Sequence, residues 1–188
     1  GAGIYKSTDA GRTFRHAGLT DTQTIARVIV HPTDPNVVYV AASGHGWTEN
    51  EMRGVFKTTD GGTTWVKILY KSRKTGPLDL VMDPTDPNTL YAALWQRTRR
   101  KWSDPRTEPG STEGGIAKTT DGGRTWTELN EGMPAVQHRG RIGLDIARSN
   151  PNVLYAFFDN YEPGRPPQEN ERDAYGRPIQ EARIKAAE

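Results

Sequence analysis

At 188 residues and 20.9 kDa the chain is long enough for one or two domains with a real core, yet only 34% of it is apolar and its mean hydropathy is −0.78. Its 20 glycines and 13 prolines favour short strands joined by turns over long helices, and no run approaches the ~18 apolar residues of a membrane span. Twenty-five basic against 23 acidic residues leave a net charge of +2, which gives nucleic acid no support as a partner, and the absence of cysteine excludes disulfide scaffolds, cysteine nucleophiles and thiolate zinc sites.

In chain order, strands are predicted over residues 3–7 and 14–16, then 25–30, 37–42, 54–58 and 65–69. A second set of four follows at 78–82, 90–94, 115–119 and 126–129, and two more at 142–146 and 153–158. The order is two strands, four, four and two, with no amphipathic helix between them to make a βαβ unit.

Two interleaved repeats impose that grouping. The first reads Ser7-Thr8-Asp9-Ala10-Gly11-Arg12-Thr13-Phe14, then Thr58-Thr59-Asp60-Gly61-Gly62-Thr63-Thr64-Trp65, then Thr119-Thr120-Asp121-Gly122-Gly123-Arg124-Thr125-Trp126. The second reads Pro32-Thr33-Asp34-Pro35-Asn36, Pro84-Thr85-Asp86-Pro87-Asn88 and, shortened, Asn150-Pro151-Asn152. Four strands per repeat is the pattern of a propeller blade. With the strands of a blade labelled A to D outward from the axis, residues 1–24 form a partial blade holding strands C and D. Residues 25–77 and 78–141 form complete blades. Residues 142–188 form a partial blade with strands A and B, followed by a long charged insertion. The expectation is an all-β fragment of a β-propeller, about three four-stranded antiparallel blades whose C-to-D hairpins carry the first repeat.

The chemistry of that repeat is structural. Asp9, Asp60 and Asp121 accept backbone amides within a tight turn. Gly11, Gly62 and Gly123 supply a positive φ. Phe14, Trp65 and Trp126 pack between blades. The eight-residue motif resembles the Asp box, or BNR repeat, of sialidase-like and sortilin-like propellers. Over residues 3–158 the chain is similar to the large bacterial sortilin/Vps10-like proteins, often labelled glycosyl hydrolases. The carriers of this likeness are Arg53-Gly54-Val55-Phe56-Lys57-Thr58-Thr59-Asp60, Asp79-Leu80-Val81-Met82-Asp83-Pro84 and Leu90-Tyr91-Ala92-Ala93-Leu94-Trp95-Gln96-Arg97. The resemblance implies a fold far more strongly than a reaction, and it implies an extracellular or periplasmic location. The remaining blades of a larger propeller are then a partner of this segment.

Loop lengths point to a site. The A-to-B and C-to-D turns are short and repetitive. The B-to-C connections (residues 43–53, 95–114 and 159 onward) and D-to-A connections (17–24, 70–77 and 130–141) are long and emerge on one rim, where a rigid scaffold carries binding residues. The loop 43–53 holds His45, Trp47, Glu49 and Glu51. Trp47 can stack on a sugar or side chain, or pack on a neighbouring loop, and His45 with Glu49 and Glu51 has no spacing specific for a metal. The loop 95–114 places Trp95 and Trp102 among Arg97, Arg99, Arg100, Lys101 and Arg106 against Asp104, a net +4 over residues 97–106. It reads as a grip on an acidic glycan or carboxylate, or as a solvated loop anchored by its tryptophans. Arg27 and Asp79 occupy equivalent repeat positions on inner strands, as channel-mouth groups or as an interblade ion pair. His138, Arg139 and Arg141 complete the rim candidates.

No motif calls for a cofactor or a metal. Three readings of function remain open: a rim that binds a peptide, protein or glycan; a glycoside hydrolase, xyloglucanase-like or sialidase-like; and a structural assembly scaffold. Hydrolysis needs two facing carboxyl groups. Asp79, Glu49, Glu51, Asp104 and Glu108 are rim acids that spacing does not pair, and no Arg-Ile-Pro or Arg-Leu-Pro segment of the sialidase kind is present. From Asp159 on, 7 acidic and 5 basic residues mix with proline and glycine, with a short helix expected near residues 178–188.

Overall fold

A computed structural model describes residues 1–99, 101 and 110–162. The expected helix near 178–188, together with Arg100, Trp102, Asp104, Arg106 and Glu108, lies outside the described residues. Among the described residues twelve strands form four antiparallel sheets, each a meander of chain neighbours. Strands β1 (Tyr5–Lys6) and β2 (Arg15–His16) pair with each other. The next sheet contains β3 (Ile25–Val30), β4 (Val38–Ala42), β5 (Gly54–Thr58) and β6 (Val66–Leu69). A second four-stranded sheet contains β7 (Thr75–Met82), β8 (Leu90–Gln96), β9 (Gly115–Thr119) and β10 (Thr127–Leu129). Last come β11 (Arg139–Ile146) and β12 (Leu154–Asn160). The chain is thus all-β, a propeller fragment with two complete blades flanked by two half-blades.

The sheets stack through three apolar layers. Alternation along the B strands explains how one strand serves two layers. Val40 and Ala42 of β4 join Leu19 and Phe56 on one side, while Tyr39 and Ala41 join Leu80, Leu90 and Ala92 on the other. Strand β8 repeats this, with Tyr91 and Ala93 turned toward Ile116, Ile142 and Leu144. A strand buried on both faces reads as a continuous apolar run, as residues 38–42 and 90–94 do. Burying each large side chain contributes about 1.5–3 kcal/mol, and the interspersed alanines let neighbouring blades approach closely.

The two sequence repeats interlock. In the middle blades, Thr58 Oγ1 donates to Asp60 Oδ1 at 2.7 Å and accepts the Gly62 amide at 3.0 Å. Asp60 then accepts the Thr64 hydroxyl at 2.6 Å and amide at 2.9 Å. Asp121 holds Thr125 with the same 2.6 and 2.9 Å contacts, and Asp9 holds Thr13 likewise. Gly11, Gly62 and Gly123 have φ of 85°, 93° and 92°, the left-handed region the turn requires. The second repeat closes on the first: the Gly61 amide donates to the Asn36 carbonyl at 2.9 Å, and Gly122 to Asn88 at 2.9 Å.

Two differences from the sequence reading bear on the site. Strands β7 and β11 start at Thr75 and Arg139, before the expected 78 and 142, so the inner hairpins rise further toward the long-loop rim. Phe14, expected in an interblade layer, is 62% exposed, because among the described residues no blade precedes the one that carries it.

Candidate functional site

The first two inner strands carry a register shift at the same repeat position, between Ile25 and Arg27 and between Pro77 and Asp79, and the third carries one slightly earlier, between Arg139 and Ile142. A bulge re-aims the side chains that follow it. In the first two strands those are Arg27 and Asp79, and Arg27 Nε donates to Asp79 Oδ1 at 3.2 Å. Asp79 Oδ2 accepts the Leu144 amide of the third inner strand at 2.9 Å. Gly143 stands at the equivalent place in that strand, and Arg141, two residues earlier, is exposed. Asp79 therefore links three successive blades around the axis.

Above this ring the long loops meet, and the organiser is a residue the sequence reading did not single out as a site. Arg53 is 2% exposed. Its guanidinium donates to the carbonyls of Lys74 (2.5 Å), His45 (2.8 Å), Arg97 (2.9 Å) and Thr48 (3.2 Å). The planar, multi-donor fork of arginine suits this collection of carbonyls. Burial pulls its pKa below the ordinary arginine value, opposed by the nearby Glu49. The 43–53 loop is further tied by the Asn50 amide to Arg73 (3.1 Å) and by the Arg99 amide to the Gly46 carbonyl (2.7 Å). At the next blade junction Arg139, 6% exposed, performs the same task. It reaches Pro134 (2.6 Å), Asn130 (2.7 Å) and the carbonyl of Gly114 (3.2 Å), the residue that replaces Arg53 in the second blade. The signal available in the sequence was a lone arginine immediately before a C strand.

Between the first two blades, on this rim, lies a cavity of about 290 Å³. Trp47, Arg53, Trp95, Arg97 and Arg99 line it, together with Ser43, Gly44 and Gly76. Trp47 is 63% exposed. The Arg97 guanidinium lies 4.9 Å from the centre of the Trp95 ring, a cation–π stack that holds both groups at the wall. Nε of Arg53 and Nε of Arg97 are buried without a hydrogen-bond partner among the described residues. Among the described residues no carboxylate lines the cavity. The structure thus brings Trp47, Trp95 and Arg97 together and adds Arg53 and Arg99.

The other sequence candidates go elsewhere. His45 shares its loop with Trp47, but its Nε2 lies 3.0 Å from the Asp21 carbonyl. Glu49 faces Lys74 at 3.5 Å. Glu51 faces Arg73 at 3.5 Å and accepts the Tyr70 hydroxyl at 2.7 Å, which raises the tyrosine's pKa. His45, Glu49 and Glu51 thus turn to three separate partners. His138 ends the short 3-10 turn Val136–His138, and its carbonyl accepts the Tyr161 amide at 2.9 Å. Neither it nor Arg141 lines the cavity, and Trp102 lies outside the described residues. Glu113, absent from the sequence candidates, accepts the hydroxyls of Ser72 at 2.5 Å and Thr75 at 2.6 Å. Burial raises its pKa, but those hydroxyls with Lys71 and Lys74 outweigh it, and the net shift is downward.

Comparison with known proteins agrees with this architecture. The chain is 24% identical over 189 aligned positions to the xyloglucanase Xgh74A of Acetivibrio thermocellus, an alignment that covers 87% of this chain and 20% of that protein. The chain thus spans about a fifth of the length of the curated relatives it matches. In three dimensions it resembles an ancestral GH74 enzyme with a TM-score of 0.59 and 20% identity, covering 82% of this chain and 19% of the other, a likeness of fold. Residues 2–169 match one family throughout, and the chain belongs to it: the sortilin–Vps10 family, described by sortilin, neurotensin receptor 3.

Proposed function

We propose that this propeller segment binds a glycan in the rim cavity between its first two blades. The observation that carries the reading is the cavity wall: an exposed Trp47 beside the stacked Trp95–Arg97 pair, with Arg53 and Arg99 and, among the described residues, no acid. An exposed indole offers a flat apolar face to a sugar ring, and guanidinium groups with free N–H bonds donate to hydroxyl or carboxylate oxygens. A largely pre-formed cleft with few convergent polar groups is the usual form of such a site. The relatedness to proteins named xyloglucanases favours a glycan over a peptide or protein ligand. An extracellular or periplasmic placement goes with this reading.

The test is a tryptophan-fluorescence and calorimetric titration of the chain with xyloglucan oligosaccharides, oligogalacturonate and short peptides. Saturable binding of a glycan that Trp47→Ala weakens at least tenfold, with unchanged thermal unfolding, is the expected result. Binding that survives both Trp47→Ala and Arg97→Ala rejects the site.

The second reading is glycoside hydrolysis, favoured by the names of the relatives. A hydrolase holds two carboxyl groups about 5–9.5 Å apart across a sugar. Here Asp79, Glu49 and Glu51 are each engaged with a different cation. Catalysis would therefore draw on carboxylates other than these three. Turnover of xyloglucan by the whole protein that is unaffected by Asp79→Asn would fit that arrangement.

A further inference from the structure

Resting on the glycan reading of the same cavity, we infer that its ligand is an acidic glycan: a uronate whose carboxylate is gripped by Arg97 and Arg99 while Trp47 covers a sugar ring. The argument is one of charge balance and of which donors are already used.

The acids around this rim have partners of their own. Glu49 faces Lys74 and Glu51 faces Arg73, both at 3.5 Å. Glu128 pairs with Lys71. Glu113 accepts the hydroxyls of Ser72 and Thr75. Arg53, Arg97 and Arg99 line the cavity, and among the described residues none of the three belongs to an ion pair. Three guanidinium groups thus share one cavity with no anion between them. Burial pulls the pKa of Arg53 below its ordinary value, and an anion in the cavity offsets that cost of holding charge in a poorly solvated place. A neutral sugar does not.

The cations are also held ready. Arg53 commits four of its five N–H donors to the carbonyls of Lys74, Arg97, His45 and Thr48. It serves as a fixed charge and as the anchor of Arg97. The backbone of Arg97 is pinned on both sides, because its carbonyl accepts Arg53 and its amide donates to the Lys74 carbonyl at 3.0 Å. Its guanidinium stacks 4.9 Å from the centre of the Trp95 ring, and its Nε is buried without a partner among the described residues. Arg99 is fastened to the other wall by its amide, 2.7 Å from the Gly46 carbonyl. Little ordering remains to be done when a ligand arrives. A guanidinium fork matches the two oxygens of a carboxylate, and such charge-assisted bonds are the stronger kind. Trp95 is occupied by Arg97, so the exposed Trp47 is the platform left for the ring. Ring and carboxylate are the two features that a uronate joins in one residue.

Calorimetric titration of the full chain with trigalacturonate and with its neutral methyl triester tests the inference, since the two ligands share their rings and linkages and differ in charge. The acid should bind about tenfold or more tighter than the ester, and its advantage should shrink at high salt. Arg97→Gln and, at an exposed position, Arg99→Gln should each erase most of that advantage while leaving affinity for the ester within about twofold and thermal unfolding unchanged. Equal affinity for acid and ester, or an advantage that survives both substitutions, would overturn the inference. Tighter binding of a neutral xyloglucan oligosaccharide that Trp47→Ala weakens would also overturn it and leave the glycan reading standing. Binding of no glycan at all would remove both. Preference for an acidic tripeptide over trigalacturonate would give the arginines to a protein ligand and overturn both as well.

Discussion

Arg27 and Asp79 lie 52 residues apart in the chain and meet at 3.2 Å, each just past a bulge in its own inner strand. They are unequal partners. The Arg27 side chain is 50% exposed and that of Asp79 17%. Asp79 also accepts the amides of Leu80 and Leu144, both at 2.9 Å. Removing Arg27 leaves a largely buried carboxylate that keeps two amide donors, and an ion pair with one partner half exposed contributes about 0–1 kcal/mol. Removing Asp79 strips two partly buried amides of their acceptor, at about 1–3 kcal/mol. Denaturant unfolding should therefore rank Asp79→Ala well below Arg27→Ala, and the reverse order would show that the Leu144 bond carries nothing.

Arg53 makes a sharper case. Its guanidinium satisfies four carbonyls from three loop segments. Arg53→Ala leaves these acceptors in a closed space, and the cost is about 3 kcal/mol or more from unpaired polar groups. Lysine restores charge but not the planar fork. Arg53→Lys should recover less than half of the loss in thermal unfolding, and full recovery would mean that charge alone matters there.

The Asp-box aspartates set an acid limit on stability. The Thr13 hydroxyl and amide, with the Ser7 hydroxyl, hold Asp9 down to about 2 from its ordinary 3.8. Thr64 and Thr125 do the same for Asp60 and Asp121, which lie lower still. A carboxylate with a depressed folded-state value stabilises the fold fully above its unfolded value, and that contribution fades as pH falls through the folded value. The unfolding temperature should be nearly flat near neutrality and fall steeply between pH 4 and about 2. Asp60→Asn should lower it at neutral pH and flatten the acid slope, whereas parallel slopes would remove these hairpins from the acid transition.

Ala10 stands where the other two Asp boxes have Gly61 and Gly122, and its φ is 58° against their 70° and 69°. The left-handed conformation costs an L-residue about 1–2 kcal/mol, and glycine's extra unfolded-state freedom returns about 0.5–1 kcal/mol of that. Ala10→Gly should stabilise the first hairpin by about 0.5–1 kcal/mol net. Unchanged or lower stability in denaturant unfolding would place the strain elsewhere.

Much of the architecture was legible in the order of residues because it is locally determined. The Asp box is a short circuit of hydroxyl, carboxylate and glycine contained within eight residues, so Asp60 and Asp121 announce their hairpins without help from the rest of the chain. The doubly buried B strands are legible for a similar reason, since a strand covered on both faces must be apolar throughout. Trp47, Trp95 and Arg97 stood out as aromatic and cationic residues on long loops, but their convergence on one cavity depends on how two blades stack. Arg53 and Glu113 were hidden because each is recognised by partners distant in sequence, mostly carbonyls and hydroxyls that no motif encodes. Local turn chemistry thus belongs to the sequence alone, whereas the site and the joints between blades exist only once the sheets are packed, because the groups that form them come from different repeats.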